Sequence, residues 1–91
     1  MGYVFEFHID RGEPDPCTRV SLFGGRSYAN DRRAISGAVI MFRNRTTDAN
    51  DELWVYQGRV NGWGAIDDGA RLVGKVAYNQ LGTGFSFIKA Q

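Results

Sequence analysis

One histidine and one cysteine are the residues of this chain best suited to proton transfer or nucleophilic attack. His8 has Glu6 and Asp10 two positions to either side, so an extended backbone would put a carboxylate on each flank of the imidazole. A carboxylate so placed raises the proton affinity of a histidine and fixes which ring nitrogen carries the proton, as in an acid–base dyad. Cys17 would supply the nucleophile of a Cys–His pair, although no sequence feature such as a helix N-terminus is present to stabilise its thiolate. Acid–base or nucleophilic catalysis needs at least two matched groups within hydrogen-bond reach. The expectation is therefore that His8 lies on the solvated polar face of an edge strand, and that the chain is not an enzyme.

Soft-metal binding needs more cysteines and histidines than the chain has, so zinc and copper sites are not expected. Asp48, Asn50, Asp51 and Glu52 gather oxygen ligands in one polar stretch. They lack the central glycine and closing bidentate glutamate of an EF-hand, so a hydrated loop is expected, with no metal and no cofactor. The aromatic and arginine content points elsewhere. Two tryptophans, four tyrosines and six phenylalanines exceed what so small a core usually needs. Trp54, Tyr56 and Trp63 fall around one hairpin, with Trp54 and Tyr56 on the same strand face. Arg26, Tyr28, Arg32 and Arg33 form a second candidate surface, with Arg43 and Arg45 in the next loop, suited to acidic groups. Tryptophan, tyrosine and arginine dominate binding hot spots because they bury large area at modest entropic cost and keep a polar handle. The expected function is a non-catalytic binding module that recognises a partner macromolecule through these residues, in first place another protein, as a small regulator or inhibitor. A homo-oligomer built by strand-edge pairing is an alternative.

These side chains must be positioned by short strands. Tyr3, Phe5, Phe7 and Ile9 alternate with Val4, Glu6, His8 and Asp10, the period of a strand with one buried face. The glycine and two prolines in residues 11–16 end it. Cys17 to Phe23 reads as a second strand closed by Gly24-Gly25. The polar stretch Arg26 to Ala34 is expected to hold one helical turn at most. Ile35 to Phe42, with its unbroken apolar run from Ala38, reads as a central strand covered on both faces. Leu53 to Val60 is rich in β-formers, and Asn61-Gly62 then favours a tight hairpin. Asp67-Asp68-Gly69 marks another turn, Leu72 to Tyr78 a strand interrupted at Gly74, and Phe85 to Lys89 the last strand. The fold class is all-β: a small antiparallel sandwich or barrel of about six strands, one domain over residues 1–91.

Gly74-Lys75-Val76-Ala77-Tyr78-Asn79 followed by Gly84-Phe85-Ser86-Phe87-Ile88 resembles the opening hairpin of cold-shock domains. That resemblance implies an OB-like barrel binding single-stranded nucleic acid, with Lys75, Tyr78, Phe85 and Phe87 as its stacking platform. The sequence departs from the family pattern at Asn79, where a second aromatic is usual. The overall charge gives this alternative little support. Eleven basic residues against ten acidic ones supply no long-range field for a polyanion or an anionic membrane. The first residues carry Glu6, Asp10, Arg11 and Glu13 rather than a basic and then apolar leader. The longest wholly apolar run, Ala38 to Phe42, is far short of the roughly 20 residues that span a bilayer. A soluble, cytoplasmic protein is expected, in keeping with its single cysteine.

Overall fold

In the computed structural model, which describes residues 2–10, 18–46, 49–79 and 83–90, strands β1 (Gly2–Asp10), β2 (Thr18–Ser27), β3 (Glu52–Gln57), β4 (Arg71–Tyr78) and β5 (Phe85–Lys89) form one antiparallel sheet. Its spatial order is β2-β1-β3-β4-β5, so β2 and β5 are the edges. The one helix among the described residues, α1 (Asp31–Arg45), connects β2 to β3. The expectation of a mostly antiparallel all-β chain holds. Among the described residues the sheet is neither closed into a barrel nor faced by a second sheet; one of its faces is covered by α1.

The covered face follows from the period of two. Tyr3, Phe5 and Phe7 of β1 share one buried cluster with Leu53 and Val55 of β3, Val73 and Val76 of β4, and Ala34, Ala38, Met41 and Phe42 of α1. The aromatic rings interlock across the layers. Phe42 lies 5.1 Å from the Phe85 ring, 5.4 Å from Tyr78 and 6.0 Å from Phe7, within the range where ring pairs add to simple burial. Tyr28 stacks on Phe5 at 5.9 Å and meets Tyr3 edge-on at 5.8 Å.

Three sequence expectations are corrected here. The largest concerns Ile35 to Phe42, which is part of α1 and not a central strand. The buried positions Ala34, Ala38, Met41 and Phe42 recur at the helical spacing i, i+4, i+7, i+8, whereas Ile40, inside the apolar run, is half exposed on the outer side. Asn30 caps the helix, its side-chain oxygen accepting from the Arg33 N–H at 3.0 Å. Asp31 in the first turn and Arg43 and Arg45 in the last suit the helix dipole. Second, Gly24-Gly25 does not end β2. The register passes from Phe5↔Phe23 to Tyr3↔Arg26, so the glycines fall in a bulge opposite β1. Third, Asn61-Gly62 does not form a two-residue hairpin. β3 stops at Gln57, and a wider loop over residues 58–70 contains an isolated bridge, Val60↔Ile66.

The Gly74 interruption is real and has a steric cause. A Cβ there would collide with the Ile88 carbonyl oxygen and lie 3.0 Å from Cε2 of Phe87. The glycine lets β5 approach beside the register shift between β3 and β4.

Candidate functional site

The sequence-derived candidates divide between two faces and one end of the sheet. On the face away from α1, rows of side chains run across the strands. Glu6 of β1 is opposite Trp54 of β3, which is opposite Lys75 of β4, which is opposite Ile88 of β5. Trp54 is enclosed on this row. The His8 ring stacks on it at 5.5 Å, the Lys75 ammonium sits 5.3 Å from its centroid, and its Nε1 donates to Glu52 Oε1 at 3.3 Å. Lys75 is also paired with Glu52 Oε2 at 2.6 Å. His8 Nε2 lies 2.5 Å from Glu6 Oε1.

The predicted Glu6–His8 contact therefore exists, but β1 is an inner strand rather than an edge, and the pair is part-buried, with the Trp54 indole over the imidazole face, rather than solvated. Tyr56 stands beside this row, opposite Val4. Burial, helped by the Glu6 charge, pushes its phenol above the ordinary range. Cys17 lies outside the described residues, as does the side chain of Asp10. Of the acidic stretch, Asp51 is buried and accepts from Thr46 Oγ1 at 3.1 Å, while Glu52 serves Lys75 and Trp54. Asp48 is outside the described residues, and no cluster of metal-ligating side chains is found among the rest.

The stacking platform implied by the cold-shock resemblance is not assembled. Tyr78 and Phe85 pack against Phe42 beneath the helix and Phe87 lies against the same core, while Lys75 is committed on the opposite face. The set is thus split between the two faces of the sheet.

The remaining candidates gather toward one end of the sheet. The pairings Tyr3↔Arg26, Tyr3↔Gln57 and Gln57↔Arg71 put the end of β2, the end of β3 and the start of β4 side by side. The start of α1 is tied to this end through a chain of buried and charged groups. The fully buried Tyr3 donates its hydroxyl to Asp31 Oδ1 at 2.7 Å. Arg71 Nη2 reaches both Asp31 oxygens at 2.9 Å. Gln57 Oε1 accepts from Arg71 Nη2 at 2.6 Å and from Nε at 3.0 Å. The Tyr3 hydroxyl and the Arg71 guanidinium hold the Asp31 carboxyl below its ordinary value. Burial, with the nearby Asp31 carboxylate, holds the Tyr3 phenol above its own.

From this end projects the 58–70 loop with Trp63, which is 94% exposed. The loop is braced from within. Asn61 Oδ1 accepts from the N–H groups of Trp63 at 2.9 Å and Ala65 at 3.2 Å, and Asn61 N–H donates to the Ala65 carbonyl at 2.7 Å. Arg59 and Asp67 pair at 3.4 Å across its base, and the Asp67 carbonyl accepts from the Ala70 N–H in the expected turn. Arg32 and Arg33 are exposed on the first turn of α1. Arg26 lies over the Phe5 ring at 5.7 Å on the helix-covered side, and Tyr28 is packed into the core beside it.

The structure thus brings Trp63, Arg26, Arg32 and Arg33 to one end, and leaves Trp54 and Tyr56 on the opposite sheet face. Sequence reasoning missed Asp31, Arg71 and Lys89. Arg71 is forty residues from Asp31, so no local spacing could have paired them. Among the described residues no helix is long and apolar enough to cross a membrane. Comparison with family models, with curated proteins and with solved structures finds no match for this chain.

Proposed function

We propose that this chain is a non-catalytic binding module whose Trp63 loop anchors a partner protein, with Arg32 and Arg33 contacting acidic groups around the anchor. One observation carries the reading: an indole left almost wholly in water by a loop that is itself hydrogen-bonded into one shape. Water-exposed apolar area on a pre-ordered loop is an anchor that loses little conformational entropy on docking. Arg32 and Arg33 make no ion pair among the described residues. They favour a partner pocket with an acidic rim, and speed its encounter.

The test is capture from native extract, followed by affinity measurement on the captured protein. Trp63→Ala should weaken binding by about thirtyfold, the scale of a hot-spot side chain. Arg32→Ala should lower the association rate and its salt dependence. Both variants should keep the wild-type circular dichroism, since neither side chain is buried. A partner that binds both variants as tightly as wild type would sink the proposal.

Self-association through a strand edge is a second reading. It is supported by β5, which has no outer strand neighbour among the described residues and whose Ile88 is half exposed.

A further inference from the structure

Between the first turns of α1 and the ends of β4 and β5 lies a cleft of about 510 Å³, a volume typical of small-molecule sites. Its floor is apolar, made by Ile35, Val73 and Phe87. Its rim is cationic: among the described residues Arg32, Arg71 and Lys89 line it against one carboxylate side chain, Asp31. These cations are not equivalent. Arg71 is fixed by Asp31 and Gln57 through Nη2 and Nε, so its orientation is set before any ligand arrives. Its Nη1 makes no hydrogen bond among the described residues. Arg32 and Lys89 have no ion-pair partner there either.

An apolar hollow edged by one pinned guanidinium and two cations outside any ion pair discriminates by charge as well as by shape. A cationic amphiphile meets like charge on entry, and a small polar anion leaves the floor in contact with water. An anion with an apolar body satisfies both parts.

We propose that this cleft binds a small amphipathic anion, with one carboxylate or phosphate head held at Arg32, Arg71 and Lys89 and an apolar body lying on Ile35, Val73 and Phe87. The inference does not depend on the docking role of Trp63. The chemistry fixes the sign of the head and the character of the tail, and the two possible heads are separated by experiment.

The full chain, labelled with nitrogen-15, would be titrated with octanoate, octyl phosphate, octylamine and acetate while amide resonances are followed. Octanoate or octyl phosphate should saturably shift the amides of Ile35, Ser36, Val73 and Phe87, and the tighter of the two identifies the head. Acetate should bind at least about tenfold more weakly for want of the apolar contact. Octylamine should leave these amides in place. Lys89→Glu reverses an exposed charge and is not expected to disturb folding; it should weaken the anion by about tenfold and leave the thermal midpoint within a few degrees. Equal binding of octylamine, shifts confined to the opposite sheet face, or an affinity unchanged in Lys89→Glu would each overturn the proposal.

Discussion

Asp31 is where the smallest change should spread furthest. It accepts from a buried phenol and from a guanidinium on another element, so Asp31→Asn replaces an ionic acceptor with a weaker amide at the joint between α1 and the sheet. Its carboxyl titrates below the ordinary 3.8 in the folded chain. A group whose folded value is depressed stabilises the fold above the unfolded value, and that contribution is lost as pH falls through the folded value. Wild type should therefore exceed Asp31→Asn in urea midpoint by a constant margin from about pH 8 to about pH 5, and the margin should close in more acidic solution. A margin independent of pH down to acid unfolding would mean that the charge on Asp31 contributes nothing. The same residue shows a limit of sequence reasoning. Asn30-Asp31 was legible as a turn signal, whereas the pairing of Asp31 with Arg71 depends on a contact forty residues away along the chain.

At the scale of elements, β1 was legible because its alternation is local and one face is buried against α1, and β4 and β5 were legible from β-forming residues between turn signals, although β4 is interrupted at Gly74. The helix was not. Its apolar run Ala38 to Phe42 fits a strand as well as a buried helix, and periodicity separates the two only when the flanking Ala34, Ile35 and the Asn30 cap are counted with it. The candidate site was legible only as residue types: Trp63, Arg32 and Arg33 were named from composition, but what gathers them is the cross-strand register and the Arg71–Asp31 bridge. Gly37 gives a test of how closely α1 sits on the sheet. In a free helix, alanine would gain about 1 kcal/mol over glycine. Here its Cβ would lie 2.8 Å from Cζ of Tyr28, closer still to the hydroxyl, and the Tyr28 ring is held by Phe5 and Tyr3. Gly37→Ala should therefore lower stability by about 1–2 kcal/mol in urea denaturation. In a Tyr28→Ala background the sign should reverse, because the obstructing ring is gone. A stabilising Gly37→Ala in the wild-type background would place α1 farther from β2 than described.

For the molecule as a whole, the near-neutral total charge conceals a segregation. Among the described residues, Arg26, Arg32, Arg33, Arg45, Arg71 and Lys89 belong with Asp31 to the helix-covered side or its rim, while Glu6 and Glu52 share the opposite face with Lys75. The single open sheet also leaves two edges, and self-association through β5 predicts a sedimentation coefficient that rises with protein concentration. Ile88→Lys should hold the chain at the monomer value, because a lysine there disfavours edge pairing. A wild type that sediments as a monomer at every concentration removes that reading. The two tryptophans occupy opposite extremes, one enclosed by His8, Lys75 and Glu52 and the other standing in water. The native protein consequently carries its own optical reporter: a red-shifted emission from Trp63, open to collisional quenching by acrylamide, superimposed on a shielded emission from Trp54. Anything that settles on the loop should extinguish or blue-shift only the first of these, without a label.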